Sequence, residues 1–126
     1  MSTSGFRTWA AYQKGFALAL RVKDVTDGIR ARDHRLADQL LRACRSTCAN
    51  LGEAYGVRHY PKHFSSKVAI AIAENYETQV WLDFCFHAQY LSEDDYRMLC
   101  EQSEEIGRLL TYMSQNPGRY KHWKAV

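Results

Sequence analysis

The groups in this chain best able to do chemistry are its thiols, imidazoles and guanidinium ions, and their spacing sorts them. Cys44 and Cys48 stand four apart, as do Asp83 and His87. Each pair would share a helix face and could offer two ligands to one metal. Neither pair has the short repeated spacing of a zinc site, and the Glu-x-x-His step used by paired metals in helical bundles does not occur. No metal and no cofactor are therefore expected. The serines, cysteines and histidines fall in no elbow or triad pattern, and the seven glycines build no phosphate-cradling loop. An enzyme is not expected, and no residue is assigned a catalytic role.

The cations carry more information. Arg30, Arg32, Arg35, Arg42, Arg45, Arg58, Lys62 and Lys67 are interleaved with His34, Tyr55, His59, Tyr60 and His63. Guanidinium forks and aromatic faces suit phosphates and unstacked bases. A hydrated helix face accounts for the same composition, because charged side chains must lie at a surface. The net charge of +3 hides an uneven distribution: residues 1–73 carry +7, residues 74–115 carry −7, and the last eleven add three cations. Such a chain can hold a polyanion with its basic half, or dock its own copies basic half to acidic half.

The elements that must position these groups are helical. With 126 residues, 46% of them hydrophobic and 25% charged, the chain is expected to form a single domain, residues 1–126. Pro61 and Pro117 are the only prolines, no linker or repeat intervenes, and the ends "MSTSGF" and "NPGRYKHWKAV" are expected to fray. The stretch "WAAYQKGFALAL" is broken by Gln13 and Lys14, so no membrane segment or leader is expected, and the location expected is cytoplasmic. The four cysteines sit on apolar helical faces, which suits reduced thiols.

Apolar periodicity predicts four helices, at about 8–30, 33–56, 61–90 and 92–115, with a frayed tail over 116–126. In the first, Trp9, Tyr12, Phe16, Ala19, Leu20, Val22, Val25 and Ile29 recur at three and four. Asp33 caps the second helix, and Gly56 closes it. Pro61 suits the first turn of the third, where Phe64, Val68, Ala71, Asn75, Thr78, Leu82, Cys85 and Gln89 form one face. Ile72, Tyr76, Trp81 and Phe86 widen that apolar surface, as if it were buried on two sides. Ser92 caps the fourth, with Asp95 three residues on, and Pro117 ends it. Short turns between four helices make an all-α, up-down four-helix bundle.

The second helix carries two stripes. Leu36, Leu40, Ala43, Thr47, Leu51 and Ala54 form an oily one, and Arg35, Gln39, Arg42, Ser46, Asn50 and Glu53 form a polar one, one residue out of phase.

These landmarks resemble those of the four-helix bundle proteins encoded in intervening sequences of bacterial 23S ribosomal RNA genes, over nearly the whole chain. The similarity is carried by "YQKG" at Tyr12–Gly15 and by Gln39, Leu40, Arg42, Ala43, Ser46, Asn50 and Glu53. It continues through Phe64, "ETQ" at Glu77–Gln79, "YLSEDDY" at Tyr90–Tyr96 and "EEIGRLL" at Glu104–Leu110. Ala54, Ile72 and Asn75 depart from the family's more common Gly, Ser and Glu. The resemblance implies a cytosolic homo-oligomer, a ring of five bundles. It also implies kinship with the accessory variability proteins of diversity-generating retroelements, basic bundles that associate with nucleic acid and a reverse transcriptase.

Taken with the resemblance, the polar stripe becomes a candidate subunit interface: Gln39, Arg42, Ser46, Asn50 and Glu53. The expected nucleic-acid contacts, to RNA or DNA backbone, are Arg30, Arg32, Arg35, Arg45, Arg58, Lys62 and Lys67, with Lys121 and Lys124 as auxiliaries. The rival expectation is a protein-interaction scaffold without nucleic acid. It would dock a basic partner through an acidic face that includes Glu93, Asp94, Asp95, Glu101, Glu104 and Glu105.

Overall fold

Two side-chain caps, one proline and one left-handed glutamine set helix boundaries in the computed structural model, which describes residues 4–121. The helices are α1 (Ala10–Ile29), α2 (His34–Gly56), α3 (Pro61–His87) and α4 (Glu93–Gln115). Asp33 accepts the Leu36 N–H at 3.1 Å, and Ser92 Oγ accepts the Asp95 N–H at 3.1 Å, each satisfying a donor that the first turn leaves open. Pro61 occupies the first turn of α3.

The third helix is shorter than its periodicity implies: it stops at His87, not near 90. Gln89 turns left-handed at φ 64°, the Tyr90 N–H reaches Cys85 O at 2.9 Å, and the Gln89 N–H reaches Phe86 O at 2.9 Å. These bonds close a Schellman ending with glutamine in the place that usually favours glycine.

Each helix packs on its chain neighbours, and α4 returns to α1, so the four close around one core. No strand occurs among the described residues. Leu18, Val22, Leu40, Leu51, Phe64, Val68, Leu82, Leu99, Ile106 and Leu110 fill the centre. On α1 the expected face turns inward, with Ala19, Val22 and Ile29 buried and Trp9, Tyr12 and Val25 packed on the core, except at Leu20. Leu20 is 56% exposed, while Ala11, Gly15 and Leu18 are buried. A Cβ at Gly15 would stand 3.3 Å from Cys48 Sγ, so α1 approaches α2 closely there.

In both ends expected to fray the described residues hold local structure, and residues 1–3 and 122–126 lie outside the described residues. Gly5–Thr8 forms a 3₁₀ turn whose Phe6 ring meets Tyr12 edge-on at 4.8 Å, and Pro117–Arg119 forms another that leads into Tyr120. Tyr120 packs on Trp9 at 5.5 Å and on Phe64 at 6.2 Å, which ties the chain's two ends to the start of α3.

Candidate nucleic-acid and subunit interfaces

The up-down topology divides the expected basic contacts between opposite ends of the bundle. Arg30, Arg32 and Arg35 lie at the α1–α2 turn, and Arg58, Lys62 and Lys67 lie at or beyond the far end of α2. That helix has 23 residues, about 34 Å at the usual helical rise. Arg45 is exposed near its middle. The sequence-predicted set is therefore not one surface. Arg30 pairs with Asp38, and Arg32 lies over the Tyr90 ring at 4.7 Å. Lys67 pairs with Glu53 at 2.8 Å. Arg35, Arg45, Lys62 and Lys121 are exposed and enter no ion pair among the described residues. Lys124 lies outside the described residues.

Folding gathers the charge at the ends of the bundle rather than along its sides. The α2–α3 end gathers the start of α1, the close of α2, the start of α3 and the close of α4. Residues 4–17, 54–73 and 106–121 run into it with eight Lys/Arg and no Asp/Glu. Glu53 and Glu105 stand at the edges of these segments, held by Lys67 at 2.8 Å and Lys14 at 3.4 Å. Three arginines at this end rest on aromatic rings: Arg7 over Phe6 at 4.5 Å, Arg58 over Tyr55 at 3.9 Å and Arg119 over Tyr112 at 5.9 Å. At the opposite end Glu93, Asp94 and Asp95 fill the first turn of α4.

Most of the polar stripe of α2 is engaged within its own chain. Arg42 pairs with Glu74 at 3.1 Å and with Glu77, and its Nε donates to Gln39 at 3.2 Å. Trp81 Nε1 adds a 3.1 Å bond to Glu77. The Arg42 guanidinium holds the Glu77 carboxyl below its ordinary range, and Glu77 raises Arg42 in return. Asn50 is buried and donates to Ser46 O at 2.9 Å. Glu53 is the partner of Lys67. The stripe thus forms the polar edge between α2 and α3.

Of the eight large hydrophobic residues that are exposed among the described residues, four are on α3. Phe64, Val68, Ala71, Asn75, Thr78, Leu82 and Cys85 face the core as their spacing predicts, and of the residues expected to widen that surface Ile72, Trp81 and Phe86 are half-buried while Tyr76 is exposed. Tyr76 is 62% exposed and Phe84 58%, with Ile70 and Val80 also outward. Beside them an open groove of about 710 Å³ runs between α3 and α4, lined by residues that include Tyr76, Gln79, Arg108 and Tyr112. Below it lies a network that sequence reading missed. Asn75 Nδ2 donates to Ser103 O at 2.9 Å, Ser103 Oγ to Asn75 Oδ1 at 3.0 Å, and Gln79 Nε2 to Ser103 Oγ at 3.1 Å. Asn75 on a core-facing stripe, four residues before Gln79, was the available signal.

Burial suppresses ionisation of the four thiols. Burial pushes Cys44 up to about 12 and Cys48 up to about 11, and Cys44 Sγ lies 3.7 Å from Thr78 Oγ1. Asp83 accepts the Tyr96 hydroxyl at 2.6 Å. No cluster of three His, Cys, Asp or Glu suited to a metal occurs among the described residues, and no described helix is long and apolar enough to cross a membrane.

The model of a family described as "23S rRNA-intervening sequence protein" matches residues 7–112. No curated protein matches the chain. Among solved structures, the chain is similar to a protein of unknown function from the S23 ribosomal protein family of Bacteroides thetaiotaomicron VPI-5482. Identity is 25% and the TM-score 0.77, covering 83% of this chain and 95% of that one.

Proposed function

The chain belongs to the 23S rRNA-intervening sequence protein family, and on that premise we propose that it is a non-enzymatic, self-associating bundle that holds nucleic acid through its α2–α3 end. The observation that carries this reading is the convergence there of three segments with eight Lys/Arg and no Asp/Glu. Phosphates are drawn to such an end without sequence readout. Self-association is supported by the exposed apolar side chains Ile70, Tyr76, Val80 and Phe84 on α3. Five copies in a ring is the assembly the resemblance implies, and a reverse transcriptase its protein partner, in the cytoplasm. Gln39, Arg42, Ser46, Asn50 and Glu53 border the α3 side and would fix register there rather than add affinity. Side by side, the copies would repeat weak phosphate sites around a rim.

Light scattering of the purified chain, with its ultraviolet ratio at low and high salt, tests both parts. The expected result is a five-subunit mass with nucleic acid released by salt. Arg58, Lys62 and Arg119 changed together to Glu should abolish that nucleic acid and keep the mass. A nucleic-acid-free monomer would overturn the reading.

A second reading, a scaffold for a basic partner, is favoured by the exposed Glu93, Asp94 and Asp95 at the opposite end. In that case their change to Lys, not the arginine reversal, removes the partner.

A further inference from the structure

We infer that the α2–α3 end takes unpaired nucleic acid, a single strand of RNA or DNA, with Tyr60 and His63 as a base-stacking platform beside phosphate contacts from Arg7, Arg58, Lys62 and Arg119. The inference rests on reading this end as a nucleic-acid interface, and it adds which form of nucleic acid fits.

The first observation is an aromatic ring that covers no core. Phe6, Trp9, Tyr55, Phe64 and Tyr120 pack edge-on or stacked on one another at this end. Tyr60, at the turn into α3, stays outside that cluster. It is 62% exposed, and among the described residues its ring meets the His63 ring alone, edge-on at 6.0 Å and 64°. An exposed tyrosine edged by a histidine leaves a ring face for an unstacked base, and every base has such a face, so the contact tolerates any sequence. A duplex keeps its base faces stacked inside and would leave Tyr60 unused.

The second observation is preorganisation. Arg7, Arg58 and Arg119 are each propped on a ring, and Arg58 Nη1 also donates to Tyr55 O at 2.8 Å. Braced guanidinium groups lose less rotamer freedom on meeting a phosphate.

The third is an asymmetry of helix starts. At this end α1 and α3 begin without a side-chain cap and without an acidic residue in the first turn. At the other end Asp33 and Ser92 cap α2 and α4, and α4 opens with three acids. The positive end of the α3 dipole thus adds to the phosphate attraction where Tyr60, its N-cap, stands, and that of α1 lies at the same end of the bundle.

The test is fluorescence anisotropy on the full chain, using labelled oligouridylate, oligothymidylate and a duplex of equal length, with polyglutamate as competitor. Single strands should bind at least about tenfold tighter than duplex. Tyr60→Ala should weaken single-strand binding about tenfold and leave duplex binding unchanged, with Tyr60→Phe restoring it. The uridylate-to-thymidylate ratio then tells RNA from DNA. Equal binding of single strand and duplex, or no effect of Tyr60→Ala, overturns this inference and leaves the nucleic-acid reading standing. Polyglutamate displacing the strand as well as unlabelled oligouridylate also overturns the base platform. Failure of the unaltered chain to bind any of the oligonucleotides removes both.

Discussion

At the scale of single residues, side chains that look alike in the sequence have different work. Arg42 and Arg45 stand three apart on α2, yet Arg42 is turned onto Glu74 and Glu77 while Arg45 faces outward without an ion pair. Ser103 is a small polar residue in a run of acids, yet it is fully buried and joins Asn75 and Gln79. Ser103→Ala leaves the Asn75 oxygen and the Gln79 amide without that hydroxyl. It should cost about 1–3 kcal/mol in urea unfolding with helicity unchanged. The thiols give a second expectation. Cys44 and Cys48 ionise in the fold only near 12 and 11, against 9.0 ordinarily, so the folded chain holds protons that the unfolded chain has released. Their contribution to stability is intact below about pH 9 and is lost as pH rises through 11 and 12. Urea midpoints measured from pH 8 upward should fall less steeply in Cys44→Ser than in the unaltered chain.

At the scale of elements, α3 was the most legible helix and α1 the least. Seven core-facing residues of α3 could be read off its periodicity, because a long helix against two neighbours repeats one face without interruption. Its end could not, since Gln89 gives no sign of a left-handed turn. Gln89→Gly should relieve that conformation and raise stability by up to about 1 kcal/mol, seen as a higher urea midpoint. On α1 the apolar series placed Leu20 inward, but Leu18 and Val22 fill the core there and Leu20 is exposed, a choice set by how the helix is rotated against its neighbours. The outward side of α3 makes its own prediction: Val80→Glu with Phe84→Glu leaves the core intact. The light-scattering mass should drop to monomer if that side is the subunit seam, and stay unchanged if water covers it.

At the scale of the whole molecule, the decisive property is the direction of the charge. The halves of the sequence carry +7 and −7, which reads as one basic and one acidic side. Folding back and forth turns this into a basic end and an end rich in acids. A ring of parallel bundles would therefore be basic on one rim. If about four phosphate contacts form on a single strand, its affinity should fall about 50-fold between 50 and 200 mM salt, measurable by anisotropy. By itself the sequence determined the four helices, the caps at Asp33 and Ser92, the proline start of α3, the inward face of that helix and the family. All of these are local or periodic signals, carried by residues a few positions apart. Only the tertiary structure decided that Arg32 and Arg58 lie at opposite ends, that Arg42 is spent on α3, that Tyr60 stands outside its aromatic cluster, and that Tyr120 closes on Trp9. Each of these depends on which segments meet across the bundle, and the antiparallel return of each helix sets that over distances no local pattern spans.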